Sequence, residues 1–397
     1  MPKVVFVSNY FNHHQAPFTK AMDQLTEHQF AFVETAPMDT ERKQMGWGQE
    51  SKPGYVFQAY EREAQSKAKN MILEADAVIW GSCPFDLIKP RLKAKKMTFA
   101  YSERLFKEGK SGLAYWGRVV KYKLKLGRYQ YPDHYLLCAS AYAAGDYNSI
   151  GLFKGRCLKW GYFPELKEYD IAELMSRKLS ATTAGWKHPK ASILWAGRLI
   201  GWKHPDASIK AAYELKKKGY SFQLDIIGNG EMEQQLQQMI REMDLSDCVK
   251  MLGAMPPEKV REHMEKADIF LFTSDQNEGW GAVLNESMNS GCVVIANQVI
   301  GSVPYLVKDG ENGFVVKECN SINEIVGYVS RCMEDSQMMR QMGEAAYRTI
   351  RDEWSAKTAA NRLKELISCI NLRKPVTEYN FGPLSVAGTM VKEMLLM

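Results

Sequence analysis

A chain of 397 residues, 45% hydrophobic and 25% charged, has room for two or three folded domains and is not the composition of a disordered protein. Its net charge is only +6 and no apolar run approaches the roughly 18 residues that span a bilayer. None of the eight cysteines sits in a CxxC pair or a zinc-finger spacing, and the seven histidines form no HxxxH. Free, mostly buried thiols in a reducing compartment are expected, with no metal site and no cofactor.

The first apolar run, 4–7, breaks at Ser8-Asn9. It is too short for a signal-peptide apolar core and reads as a strand, and the cytosol is the expected compartment. A helix starting at 18–25, a strand at 30–33, a helix at 66–74 and strands at 77–80, 97–101 and 135–139 follow. Strand and helix in alternation predict a parallel sheet covered on both faces. Residues 162–190 lack a clear period and read as an interdomain connection. A second alternating set follows, with strands at 192–196, 222–227, 248–252, 269–273 and 292–296. Its helices are at 207–217, 232–243, 257–266 and 282–289. The fold class is therefore α/β, with two Rossmann-like doubly wound domains facing a central cleft and ligands at the carboxyl ends of the strands. The expected domains are 1–165 and 190–354, with a helix at about 356–370 and a tail, 371–397, of no assigned role. Gly-Trp-Lys-His-Pro occurs at 185–189 and 201–205, and nothing else repeats.

The stretch most suggestive of chemistry is Asn277-Glu278-Gly279-Trp280-Gly281-Ala282-Val283-Leu284-Asn285-Glu286-Ser287-Met288. A buried strand ends before it, a glycine-rich loop carries Glu278, and a helix starting near Gly281 carries Glu286. Glycines allow close backbone approach, and a helix N-terminus suits phosphate. A dinucleotide enzyme is disfavoured. The first strand runs into Ser8-Asn9-Tyr10-Phe11-Asn12-His13-His14 without glycine, and Gly228-Asn229-Gly230 lacks the third glycine of G-x-G-x-x-G.

The two glutamates, separated by seven residues, resemble the E-x7-E motif of retaining GT-B glycosyltransferases of the GT4 class, of the kind that build bacterial surface polysaccharides. Ala196-Gly197-Arg198-Leu199 with Lys203, Ile227-Gly228-Asn229-Gly230-Glu231, 249–253, 267–274 and 307–314 resemble further family segments, so the likeness covers about 192–316. It implies the following. Arg198 and Lys203 hold the donor diphosphate, two cations suiting a departing nucleotide without a metal. Glu286 binds the ribose and Glu278 the transferred sugar. Gly228, Gly230, Gly279, Trp280, Gly281, Ala282 and Val283 line the donor site. The donor is a nucleotide-diphosphate sugar, UDP favoured and GDP possible, and the acceptor is a glycan or lipid-linked. The first domain binds acceptor, and the 356–370 helix packs back on it. Epimerase or hydrolase activity on the same fold is one alternative, and a non-catalytic glycan or membrane adaptor is another.

The N-terminal half departs from the family pattern. Glu103 and Arg104 stand where a polar cleft residue is expected, as contacts for acceptor or transferred sugar, with Glu103 counted beside Glu278, Arg198 and Lys203 as a catalytic candidate, or as a salt-bridged pair at a helix start. His14 is a candidate for the cleft floor. From Lys89 to Arg128 thirteen basic residues face only Glu103 and Glu108, giving +11 and predicting one strongly basic surface. Within it Trp116, Lys121, Lys123 and Lys125 suit an anionic membrane surface, with a solvated helix as the plain alternative. No nucleic-acid fold signature accompanies them. The expected location is cytoplasmic, peripheral at the inner face of the cell membrane.

Overall fold

A computed structural model describes residues 1–39, 52–183 and 190–389. The chain divides into two compact units. Among the described residues, the first comprises 1–165 and 353–389 and the second 166–352.

The first unit holds a seven-stranded sheet: β1 Val4–Ser8, β2 Phe30–Glu34, β3 Val56–Gln58, β4 Ala77–Trp80, β5 Thr98–Ser102, β6 His134–Cys138 and β7 Cys157–Lys159. Their order is β3-β2-β1-β4-β5-β6-β7, every pair parallel. β1 and β4 are buried along their whole length, which is why they read as unbroken apolar runs rather than alternating ones. Helices Arg62–Glu74, Phe85–Lys93, Gly112–Leu126 and Ala143–Ser149 contribute Ile72, Leu87, Val119 and Ala144 to one core with Val5, Val78 and Leu136. Helix Ala16–Leu25 packs with Ala356–Asn371, so the C-terminal helix returns to this unit.

Arg91 is wholly buried among these elements. Its guanidinium donates to the carbonyls of Ile72, Ala75, Asp76 and Met97, closing the open end of helix Arg62–Glu74. Five donors on a rigid fork make arginine suited to this task, and burial lowers its pKa to about 10.

Part of the tail also has a structural role. Lys159 donates its N–H to Ser385 and accepts from Leu384, while Ala387 donates to Cys157. Residues 384–387 thereby cover β7, which would otherwise be an open sheet edge. Arg362 fixes the tail by donating to the carbonyls of Phe381 and Pro383. Residues 390–397 lie outside the described residues.

The second unit holds β8 Ala191–Ala196, β9 Phe222–Ile227, β10 Val249–Gly253, β11 Ile269–Phe272, β12 Val293–Asn297 and β13 Gly313–Val316, in the order β10-β9-β8-β11-β12-β13, again all parallel. Helices 257–266 and 282–289 have the expected bounds. Residues 162–190 differ from the reading as a plain connection, because they contain the helix Ile171–Thr183. Its buried side includes Leu174, Met175 and Lys178, so a cation interrupts the apolar period. The Lys178 ammonium donates to the carbonyls of Met264 and Ala267. The first Gly-Trp-Lys-His-Pro copy lies in 184–189, outside the described residues.

Candidate functional site

In the second unit, the loops at the carboxyl ends of β8, β9 and β11 bring Gly197, Arg198, Lys203, Gly228 and Glu278 near one another. β8 ends at Ala196, and Gly197-Arg198-Leu199 leads into a tight turn at Gly201–Lys203. His204 then adopts a left-handed conformation (φ 48°) before Pro205 opens the next helix. The loop after β9 laces against this segment: Leu199 N–H donates to Asn229 O at 2.8 Å and Met232 N–H to Leu199 O at 3.0 Å. Gly228 has φ 140°, and a Cβ on it would lie 1.8 Å from Gly197 O. No residue with a side chain fits so close a crossing.

Thr273, just past β11, ties the β8 loop down. Its hydroxyl lies 2.8 and 2.9 Å from the carbonyls of Lys203 and His204 and accepts from the Trp195 indole at 2.8 Å. Lys203 is thereby aimed at Glu278, with Nζ 2.7 Å from Oε2 and both side chains largely buried. Ser274 donates to the same oxygen at 2.9 Å. Arg198 is exposed, its guanidinium 5.9 Å from the Trp202 ring centroid, while the Lys203 ammonium lies 4.9 Å from that centroid. Two cations thus stand over one aromatic ring, beside glycine-lined backbone.

Gly281 starts the motif helix Ala282–Asn289 at φ 79°, where a Cβ would lie 2.3 Å from the Phe272 ring. Trp280, expected beside the donor, is fully buried. Its indole donates to Asn285 at 2.8 Å and its carbonyl accepts from Ser302 at 2.5 Å. The side chain therefore fixes the loop instead of lining a surface. Glu286 is partly buried, and desolvation pushes its carboxyl up from 4.5 to about 7 against the opposing charge of Arg261. Asn297, at the end of β12, donates to Thr273 O and Ser274 O at 2.8 and 3.1 Å. Sequence reasoning missed it; its one signal is a polar residue closing a buried strand. Asp275, 3.4 Å from His204, was missed as well.

In the first unit, Glu103 and Arg104 do not pair with each other. Glu103 accepts from Tyr162 at 2.7 Å and from Lys107 at 2.9 Å. Arg104 lies 3.8 Å from buried Asp146 and 4.9 Å from the Tyr142 ring. No helix begins beside them; the next starts at Gly112. The His14 ring lies 6.1 Å from that of Tyr162, nearly parallel to it, and 3.8 Å from that of His13. Burial, with His13 adding to it, holds its pKa well below 6.5, so the ring is neutral at pH 7.

The basic stretch does not form one surface. Arg91 is buried, while Lys93, Lys95 and Lys96 precede β5 and Lys107 and Lys110 follow it, at opposite ends of a strand. Lys125 lies over Trp80 and Phe85, 5.4 and 4.9 Å from their ring centroids, and burial lowers its pKa. Lys121 and Lys123 are exposed, as is Trp116 at 62%. Among the described residues no three His, Cys, Asp or Glu gather as a metal cage, and no helix is long and apolar enough to cross a membrane.

Residues 178–349 match the family model described as Glycosyl transferases group 1. The amylovoran biosynthesis glycosyltransferase AmsK of Erwinia amylovora is 29% identical over 185 residues, 45% of each chain. The GDP-mannose-dependent alpha-(1-6)-phosphatidylinositol monomannoside mannosyltransferase of Mycolicibacterium smegmatis is 29% identical over 182 residues, 44% of this chain and 47% of that one. These alignments span a little under half the length of either relative. The crystal structure of Anabaena Alr3699/HepE with UDP and glucose has a TM-score of 0.63 at 16% identity, covering 93% of this chain and all of that one. The fold, two parallel-sheet α/β units, is that of GT-B glycosyltransferases. The family match and the relatives' names support a glycosyltransferase.

Proposed function

We propose that the protein transfers a sugar, with retention and without a metal, from a nucleotide-diphosphate sugar to a glycan or lipid-linked acceptor in cell-surface polysaccharide biosynthesis. The observation that carries this reading is the Lys203–Glu278 contact at 2.7 Å beside the glycine crossing of Gly197 and Gly228. The glycine crossing lets the loop after β9 pack directly against the loop that carries Arg198 and Lys203, and these two side chains supply the charge that a departing nucleoside diphosphate requires. Glu278, already close to the Lys203 ammonium, faces the sugar hydroxyls. Glu286, on the motif helix, accepts from the ribose hydroxyls. The relative named for GDP-mannose and the neighbour crystallised with UDP both support a nucleotide-sugar donor, and UDP is favoured. Glu103, Arg104 and His14 are assigned to the acceptor side, and the enzyme is assigned to the inner face of the cell membrane.

The test is to incubate the protein with UDP- and GDP-sugars, with and without a membrane extract, in the presence of a metal chelator, and to follow nucleotide release. Acceptor-dependent release that Arg198→Ala and Lys203→Ala each reduce is the expected outcome. Release that needs no acceptor indicates an epimerase or hydrolase. Release that needs added divalent metal refutes the role given to the two cations.

A further inference from the structure

Helix Gly112–Leu126 is apolar on two opposite sides. On the inner side, Val119 and Leu126 are buried and Tyr115 and Tyr122 pack with them against the sheet. These positions are four, three and four residues apart, so they lie above one another on the helix. On the outer side Leu113, Trp116, Val120 and Leu124 recur with the spacing three, four, four. They are 92%, 62%, 54% and 71% exposed. One helix thus supplies four of the nine large hydrophobic side chains most exposed among the described residues. Scattered surface hydrophobics need no explanation, whereas a contiguous stripe does.

The charge around the stripe identifies what covers it. The helix carries no acidic residue. At 100° per residue, exposed Lys123 falls on one flank of the stripe and exposed Lys121 on the other. Arg118 and Lys125 turn inward, the first donating to Leu105 O and the second lying over Trp80 and Phe85. An apolar band edged on both sides by ammonium groups, with a tryptophan in it, matches an anionic bilayer surface: acyl chains for the band, phosphate headgroups for the lysines. A second copy presenting this same face would set lysines against lysines.

We infer that helix Gly112–Leu126 is an in-plane membrane anchor, with Leu113, Trp116, Val120 and Leu124 entering the bilayer and Lys121 and Lys123 meeting anionic headgroups. This deepens the peripheral assignment above by naming the contacting residues. It does not depend on which sugar is transferred.

The experiment uses the full chain and vesicles of phosphatidylcholine alone or mixed equally with phosphatidylglycerol. The protein should cosediment with the mixed vesicles and not with phosphatidylcholine. Replacing Leu113, Trp116, Val120 and Leu124 together by Ser should weaken partitioning by about 100-fold or more. Lys121→Gln with Lys123→Gln should weaken it roughly 25-fold, about fivefold per cation. All six side chains are exposed, so melting temperature and its shift by UDP or GDP should be unchanged. Those controls separate loss of the anchor from loss of the donor site. Equal vesicle binding by the serine variant and the parent overturns the inference. So does a parent that ignores anionic vesicles, or a parent dimer that the serine variant converts to monomer, which would show a second copy on the stripe.

Discussion

Replacing Glu286 by Gln should make the empty protein more stable at high pH while weakening donor binding. The Glu286 carboxyl is raised by burial from 4.5 to about 7. Below pH 4.5 it is protonated whether the chain is folded or unfolded, and the raised pKa costs nothing. Between pH 4.5 and 7 the unfolded chain has released a proton that the folded chain retains, so stability falls as pH rises. Above 7 the full cost is present and constant. The gap of about 2.5 units corresponds to roughly 3 kcal/mol as a ceiling. Partial access to water trims this to about 1–2 kcal/mol. A glutamine keeps the shape and never ionises, so the variant should melt with the parent near pH 4.5 and several degrees above it at pH 8. Differential scanning fluorimetry across that range, without nucleotide, reads the effect, and every other titrating group cancels in the difference. The same variant should lose donor affinity by roughly tenfold or more, since a hydrogen bond to a charged group is worth about 1.5–3 kcal/mol. A variant that melts below its parent at pH 8, or an offset independent of pH, refutes the reasoning.

The two glutamates should also separate kinetically. Glu286→Gln should act mostly on KM, through a contact made in ground and transition states alike. Glu278→Gln should act mostly on kcat, by roughly 10- to 150-fold, because the transferred sugar changes charge and shape during reaction; steady-state kinetics with the true acceptor decides it. Gly228→Ala should cost about 3 kcal/mol or more, since its Cβ would meet Gly197 O at 1.8 Å with φ at 140°. Thermal melting together with a lost nucleotide-induced shift would show it, and an alanine variant with normal melting and nucleotide response would show that the two loops do not cross so closely.

Much of the second unit was legible because its strands are buried on both sides and its loops carry glycines at fixed places. β9 over 222–227 and helices 257–266 and 282–289 have the expected bounds. β3 and β7 were not foreseen. Each has only three residues, too few for a period to register. Helix Ile171–Thr183 was hidden because Lys178 stands among its buried positions. Charge counting failed on the basic stretch because sequence distance says nothing of which end of a strand a lysine occupies, nor that Arg91 faces carbonyls instead of water. Lys203 and Glu278 were named from their motifs, yet their pairing depends on Thr273 holding the carbonyls of Lys203 and His204 from across the sheet, 70 and 69 residues away in sequence. Nothing local in the sequence records such a contact.

Among the described residues the first unit is made of two separated stretches, 1–165 and 353–389, whereas the second is the single stretch 166–352. Recombination between relatives is therefore asymmetric. One uninterrupted segment carries the second unit, and it could be exchanged as an insert. Exchanging the first unit intact requires two junctions, near 165 and near 353. A single crossover at 165 would leave one parent's sheet paired with the other parent's helix 356–371 and the 384–387 strip along β7. Side chains on helix Ala16–Leu25 and on Ala356–Asn371 must then change together for this unit to diverge, so residues 353–389 should vary with 1–165 more closely than with the segment that precedes them.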